Sequence, residues 1–126
     1  MKKIFYFVPA ACYYALIFVL SSKPYQIEVE VPFFDKWVHL VEFGVLGFFV
    51  SFAFFKSLRS SLKIKINATF LSGISLGILD EIHQYFVPGR NSDIFDAAVD
   101  AIGIFLGLLV YWYLSQKMKL KILDKL

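Results

Sequence analysis

Cysteine is nearly absent from this sequence, and charge is absent from long stretches of it. Cys12 is the only cysteine, so no disulfide can form within the chain. Residues 4–22 contain no charged side chain over 19 positions, which is about 28 Å of helix and enough to cross a lipid bilayer. An A-x-A cleavage signal is also missing after this run, so we expect a retained membrane helix rather than a cleaved signal peptide.

The remainder of the chain repeats this apolar character, and 59% of all residues are hydrophobic. Apolar runs of helix length cover residues 4–22, 37–55, 66–86 and 94–116. Runs of this length are typical of transmembrane helices and not of a half-buried soluble core. The sequence therefore predicts an all-α fold, an integral membrane bundle of four transmembrane helices that forms a single domain over residues 1–126.

Lysine and arginine are distributed unevenly between the two sides of such a bundle. The termini and the second connection share one side and carry ten basic residues, against three on the other side. Because basic residues accumulate in cytoplasmic loops, this count predicts that both termini are cytoplasmic. Nine of the ten acidic residues then lie at or near the outer face. We expect the basic tail to meet anionic lipid headgroups and not nucleic acid.

Small and polar residues share one stripe on each of three predicted helices, because residues three, four, seven or eleven positions apart lie on one helix face. The second helix has Asp35, His39 and Glu42. The third helix has Gly73, Gly77, Asp80 and Gln84. The fourth helix has Asp96, Asp100, Gly103 and Gly107. We expect the stripes of the third and fourth helices to face each other, with the polar groups of all three helices in one outward-opening cavity.

Each of these features also has a purely structural interpretation. The glycine pairs are typical of helix-packing seams in membranes. The segment 73–77 fits the serine-hydrolase pattern around Ser75, but it lies in an apolar helix without the strand–turn–helix context of that pattern. Arg90 either neutralises neighbouring carboxylates or binds an anionic group of a substrate. Acids at several membrane-embedded positions nevertheless indicate a functional site.

The same residues resemble two signatures of the VanZ-like family, and the resemblance covers essentially the whole chain. The first is Asp35-Lys36-x-x-His39. The second runs from Asp80-Glu81-x-x-Gln84 through Phe86 to Pro88-Gly89-Arg90, with Asp96 following. Asp100 departs from the pattern, because the family usually has asparagine there, and two acids one turn apart can share a proton. The resemblance implies a bacterial cytoplasmic membrane, a role in the cell envelope and a link to teicoplanin resistance.

The resemblance transfers no demonstrated activity, so two functions are open. The first is an enzyme acting on an outward-facing lipid-linked or phosphate-bearing envelope substrate. In it Glu81 is the general acid or base, with His39 or Asp96 as its partner, and Arg90 binds an anionic group. The residues expected to contact the substrate are Asp35, Lys36, Gln84 and Asp100. The alternative is a non-catalytic membrane binder that sequesters or excludes lipophilic glycopeptide antibiotics.

We predict no bound cofactor, because no H-E-x-x-H or other strong metal-ligand motif is present. A divalent metal is the open alternative, and its candidate ligands are His39, Glu42, Asp80, Glu81, His83 and Asp96. The expected partners are membrane lipids, together with either a lipid-linked envelope substrate or a glycopeptide antibiotic. Transport is disfavoured, because the polar groups lie at only one end of the helices and form no path across the membrane.

Overall fold

The computed structural model describes residues 2–24 and 31–124, and in these ranges the chain is helical with no strand. A short 3₁₀ helix, Lys3–Phe7, leads into the first α-helix. The α-helices are α1 (Val8–Ser21), α2 (Phe34–Ser57), α3 (Leu62–Tyr85) and α4 (Ile94–Leu123). Within the described residues, four segments are long and apolar enough to cross a membrane, with Lys3–Ser21 as the first. The prediction of an all-α membrane bundle of four helices is confirmed.

The helices extend beyond the apolar runs that predicted them. α3 begins at Leu62 instead of residue 66, because the Ser61 side chain caps it by accepting a hydrogen bond from the Ile64 backbone N–H. α4 continues to Leu123 instead of ending at residue 116. The predicted bounds followed the loss of apolar character, but lysine is a good helix former and does not end a helix.

The connection between α3 and α4 is short and has a defined conformation. Gly89 adopts a φ of +79°, in the left-handed region that glycine accommodates without strain. Asp93 then caps α4, because its Oδ1 accepts a hydrogen bond from the Phe95 backbone N–H at 2.9 Å. This turn fixes where α4 begins relative to the last residues of α3.

Glycines allow α2 and α4 to approach closely. A Cβ on Gly107 would collide with the carbonyl oxygen of Gly44, and one on Gly103 would lie 2.8 Å from the carbonyl oxygen of Leu40. Small residues at such crossings let helix backbones pack against each other in membranes. The α2–α4 crossing is therefore a backbone-to-backbone contact.

The prediction that the two glycine stripes face each other was wrong in part. The α3 glycines do face α4, since a Cβ on Gly73 would meet Ile104 and one on Gly77 would meet Asp100. The α4 glycines face α2 instead. Spacing identifies the residues that share a helix face, but it does not identify the neighbouring helix that this face meets.

The core is small, as expected for helices whose outer faces meet lipid. Phe43 and Leu46 of α2 and Ile104 of α4 are fully buried, and Ile17 of α1 packs in the same cluster. Large apolar side chains are exposed on the outer face of every helix, for example Leu71 on α3. Beyond this core, towards the start of α2, the end of α3 and the start of α4, the buried residues are polar and charged instead of apolar.

Candidate functional site

His39 lies at the centre of this polar end and is only 2% exposed. Its Nδ1 is 2.9 Å from Asp100 Oδ1, and its Nε2 is 3.9 Å from Asp96 Oδ2. With Asp100 ionised, the carboxylate can only accept, so the imidazole donates from Nδ1–H and leaves Nε2 as the basic nitrogen. The four-residue spacing of Asp96 and Asp100 on α4 places one carboxylate near each ring nitrogen.

Glu81 reaches the same point from α3. Its Oε2 accepts hydrogen bonds from the Ser92 hydroxyl at 3.1 Å and from the Asp93 backbone N–H at 3.0 Å. Its Oε1 is buried and has no hydrogen-bond partner among the residues that the structure describes. One oxygen of Glu81 is thus anchored by the turn before α4, while the other is left for a ligand or a proton.

Lys36 holds the carboxylates of the first turns of α2 and α4. Its Nζ lies 3.0 Å from Asp35 Oδ2, 3.0 Å from Asp93 Oδ2 and 2.6 Å from Asp96 Oδ1. Asp93 lies in the connection outside the membrane-spanning segments. The backbone N–H of Phe95, and then the Lys36 ammonium, hold the pKa of the Asp93 carboxyl below its usual range.

Negative charge dominates the buried part of the site. Four buried carboxylates belong to it: Asp80, Glu81, Asp96 and Asp100. Gln84 donates a hydrogen bond from Nε2 to Asp80 Oδ2 at 2.6 Å, which satisfies only one oxygen of that acid. Asp80 Oδ1 and Asp100 Oδ2 are buried without hydrogen-bond partners in the described part of the chain. Burying ionised carboxylates is costly unless cations or protons compensate them.

The structure brings most of the predicted site residues together. His39, Glu81 and Asp96 each offer a ligand atom, and these atoms lie within 4.8 Å of one another. Asp100 and Lys36 contact members of this trio directly, Asp35 contacts Lys36, and Gln84 pairs with Asp80. Arg90, half-buried after the α3–α4 turn, attracts the Glu42 carboxylate of α2.

His83 lies in a separate region, although it was one of the candidate metal ligands. Its Nδ1 is 3.2 Å from the Ser21 hydroxyl and its Nε2 is 3.2 Å from the Ser22 hydroxyl. The Phe18 ring stacks on it with a centroid distance of 4.0 Å. Both nitrogens are therefore engaged by the end of α1, and His83 connects α1 to α3.

Sequence reasoning missed Ser92 and Asp93, the residues that anchor Glu81. The signal that could have identified them is the serine–aspartate pair in front of the apolar run of α4, which is typical of a helix N-cap. A cap residue is normally satisfied by its own helix. Its additional contacts with Glu81 and Lys36 depend on the folded turn, which the sequence pattern does not describe.

A cavity of about 540 Å³ gives access to Glu81 from between α3 and α4. Most of its lining is apolar, and Glu81, Ser92 and Asp93 form its polar part. The apolar lining residues include Ile78, Ile82, Phe86, Ile94 and Ala97. The cavity thus matches a molecule that has an apolar body and a polar group.

The fold and this site together define a multi-pass membrane protein with a buried histidine–carboxylate cluster near one end of its helices. The sequence profile of the VanZ/LLP1 family matches residues 1–116, so the chain belongs to that family. No curated protein and no solved structure matches the chain.

Proposed function

We propose that this protein is an intramembrane enzyme that acts on a lipid-linked or phosphate-bearing substrate of the bacterial cell envelope. The observation that carries the proposal is the pairing of His39 Nδ1 with Asp100 Oδ1 at 2.9 Å beside the half-satisfied carboxylate of Glu81. A carboxylate on one imidazole nitrogen orients the ring and makes the other nitrogen a better proton acceptor.

In this proposal His39 and Glu81 form the acid–base pair. His39 Nε2 accepts a proton from water or from a substrate hydroxyl, and Asp100 stabilises the resulting imidazolium. Glu81 exchanges a proton through Oε1, while Ser92 and the Asp93 backbone hold its other oxygen in place. Positioned acids and bases of this kind contribute about 100- to 10,000-fold to a reaction rate.

The cavity between α3 and α4 supports a lipid-linked substrate. Its apolar lining can hold an acyl or prenyl chain that enters sideways from the bilayer, and the polar group of that lipid then lies against Glu81 and Ser92. Arg90 is the cation proposed to bind an anionic group of the substrate. Lys36 is engaged with three carboxylates, and its proposed role is to hold them beside the reacting groups.

The proposed setting is the bacterial cytoplasmic membrane, with both termini in the cytoplasm and the site facing outward. The ten-to-three distribution of basic residues supports this orientation. In a Cys12→Ser background, a cysteine at Ser92 should react with a membrane-impermeant maleimide in intact cells, and one at Ser60 should not. Labelling of the cysteine at Ser60 but not of the cysteine at Ser92 would contradict this orientation and indicate the opposite one.

An outward-facing site would also agree with the link to teicoplanin resistance that the family resemblance implies. We therefore propose that turnover by this protein raises tolerance to teicoplanin.

A binding function is the second candidate, and a different surface favours it. A groove of about 940 Å³ lies between α1 and α3 and is lined mainly by apolar side chains, among them Phe7, Tyr14, Phe18, Phe54 and Leu76. Such a groove fits the acyl chain of a lipophilic glycopeptide. In this alternative the protein sequesters or excludes the drug without changing it.

Mass spectrometry of both drug and lipids separates the two functions. Purified protein in nanodiscs made from bacterial envelope lipids is incubated with and without teicoplanin, beside the variants Glu81→Gln and Asp124→Asn. If the protein is an enzyme, wild type and Asp124→Asn should each produce a changed lipid species. Glu81→Gln should leave the lipids unchanged. Unchanged lipids together with equal retention of teicoplanin by all three proteins would contradict the proposed enzymatic function and support the binding function.

A further inference from the structure

Three side chains from three helices converge with the spacing of a metal site. His39 on α2, Glu81 on α3 and Asp96 on α4 offer atoms that lie within 4.8 Å of one another, and all three residues are buried. Ligands of a tetrahedral zinc ion lie about 2.0–2.2 Å from the metal and hence roughly 3.4 Å from one another. His39 Nε2 and Asp96 Oδ2 are 3.9 Å apart, so a small side-chain movement would bring them to that spacing.

The groups around these three side chains already orient them as metal ligands. Asp100 binds the far nitrogen of His39, which is the usual arrangement behind a metal-bound histidine. Ser92 and the Asp93 backbone bind one oxygen of Glu81, and the other oxygen is buried with no hydrogen-bond partner among residues 2–24 and 31–124. Lys36 binds Asp96 through Oδ1, so Oδ2 is the oxygen on the side of His39.

The charge of the site also favours a cation. Asp80, Glu81, Asp96 and Asp100 are all buried. Lys36 supplies one positive charge, Arg90 lies beside a further acid, Glu42, and His39 supplies a positive charge only when it is protonated. Inside a membrane an uncompensated pair of negative charges is strongly unfavourable. A divalent ion supplies two positive charges at the point where three of the helices converge.

We propose that His39, Glu81 and Asp96 bind one divalent transition-metal ion. The imidazole ligand favours an ion such as Zn²⁺ over Mg²⁺ and Ca²⁺, which prefer sites made only of oxygen. Three protein ligands leave a coordination position for water or a substrate oxygen, as in catalytic zinc sites. The binding of this ion does not rest on the proposed function, whereas a catalytic role for it does. With the ion bound, His39 Nε2 and Glu81 Oε1 would serve as its ligands instead of exchanging protons, and the ion would supply the activation of water or of a substrate oxygen.

Metal binding is measured directly, without any turnover. Protein in nanodiscs is treated with a chelator, loaded with Zn²⁺, dialysed and analysed for metal content, beside Glu81→Gln and the matched histidine variants His39→Gln and His83→Gln. We expect about one ion per chain in wild type and His83→Gln, and a loss of binding in His39→Gln and Glu81→Gln. Equal metal content in all four proteins, or none in wild type, would overturn the site.

A measurement on the wild-type protein tests the metal site even if the variants fail to fold. Wild type loaded with Mn²⁺ should show electron spin echo modulation from a directly coordinated imidazole nitrogen. Bound Mn²⁺ without that nitrogen signal would overturn the site even if the variants cannot be purified. If the ion and the nitrogen signal are present but no lipid is changed in the mass-spectrometric assay, the proposed enzyme fails and the metal site stands.

Discussion

The two histidines of the described chain lie on neighbouring helices but in opposite environments. Both nitrogens of His83 contact serine hydroxyls of α1, and an aromatic ring covers one face of its imidazole. His39 has one nitrogen on Asp100, and its other nitrogen is nearest to a second carboxylate. Neutral partners and stacking satisfy an imidazole structurally, whereas a surplus of buried acids prepares it to exchange protons or bind a cation. The comparison separates an imidazole that joins two helices from one that lies among buried carboxylates, where the proposed function is placed.

The largest expected difference between the two regions is in turnover. His39→Gln keeps a hydrogen-bonding side chain but removes the basic nitrogen, so the rate of the proposed lipid modification should fall by about 100- to 10,000-fold. His83→Gln should keep most of the activity, since His83 contacts the end of α1 and not the acids. The measurement is the initial rate of product formation in nanodiscs. Equal losses in both variants would remove the functional distinction between the regions.

A smaller effect is expected from the residue behind His39. Asp100→Asn should still accept the hydrogen bond from Nδ1–H through its amide oxygen, but it removes the charge that raises the basicity of the imidazole. Losing such a supporting group typically lowers metal affinity by about 10- to 100-fold. Competition of the protein with a fluorescent zinc chelator measures this change. Unchanged zinc affinity in a folded Asp100→Asn protein would show that Asp100 does not support a metal-bound His39.

The smallest expected effect concerns the stability provided by His83. His83→Ala removes two hydrogen bonds to α1, and polar contacts between membrane helices average about 0.6 kcal/mol each. We therefore expect a loss of about 1 kcal/mol in the free energy of unfolding, measured by SDS titration in mixed micelles, with the metal content unchanged. A loss of bound metal in a folded His83→Ala protein would link the two regions that the structure separates.

Hydropathy and helical spacing predicted the helices and much of the cluster, for physical reasons. Lipid requires long apolar runs, so the four spans are visible in the sequence. Four-residue spacing places Asp35 with His39 and Asp96 with Asp100, so the polar faces are visible as well. Because α2 and α3 are joined by a short connection, as are α3 and α4, their polar ends come to the same level.

The missing parts of the prediction depend on which helices pack together. Periodicity did not indicate that Gly103 and Gly107 face α2. Helical spacing shows which residues share one side of a helix, but it does not show which other helix packs against that side. It also did not separate His83 from His39, since the serines that engage His83 are about 60 positions earlier in the chain. The contacts of Ser92 and Asp93 with Glu81 required the folded turn before α4.

The most direct test of the proposed proton-exchanging site is Glu81→Gln at native expression in the membrane of the host cell. Glutamine keeps the shape of the side chain and can still accept hydrogen bonds from Ser92 and the Asp93 backbone, but it lacks the titratable proton. The protein should accumulate in the membrane at the wild-type level and lose the teicoplanin tolerance that the proposed function attributes to it, while Glu81→Asp should retain part of that tolerance. Full teicoplanin tolerance with Glu81→Gln at the wild-type protein level would contradict the acid–base role of this site.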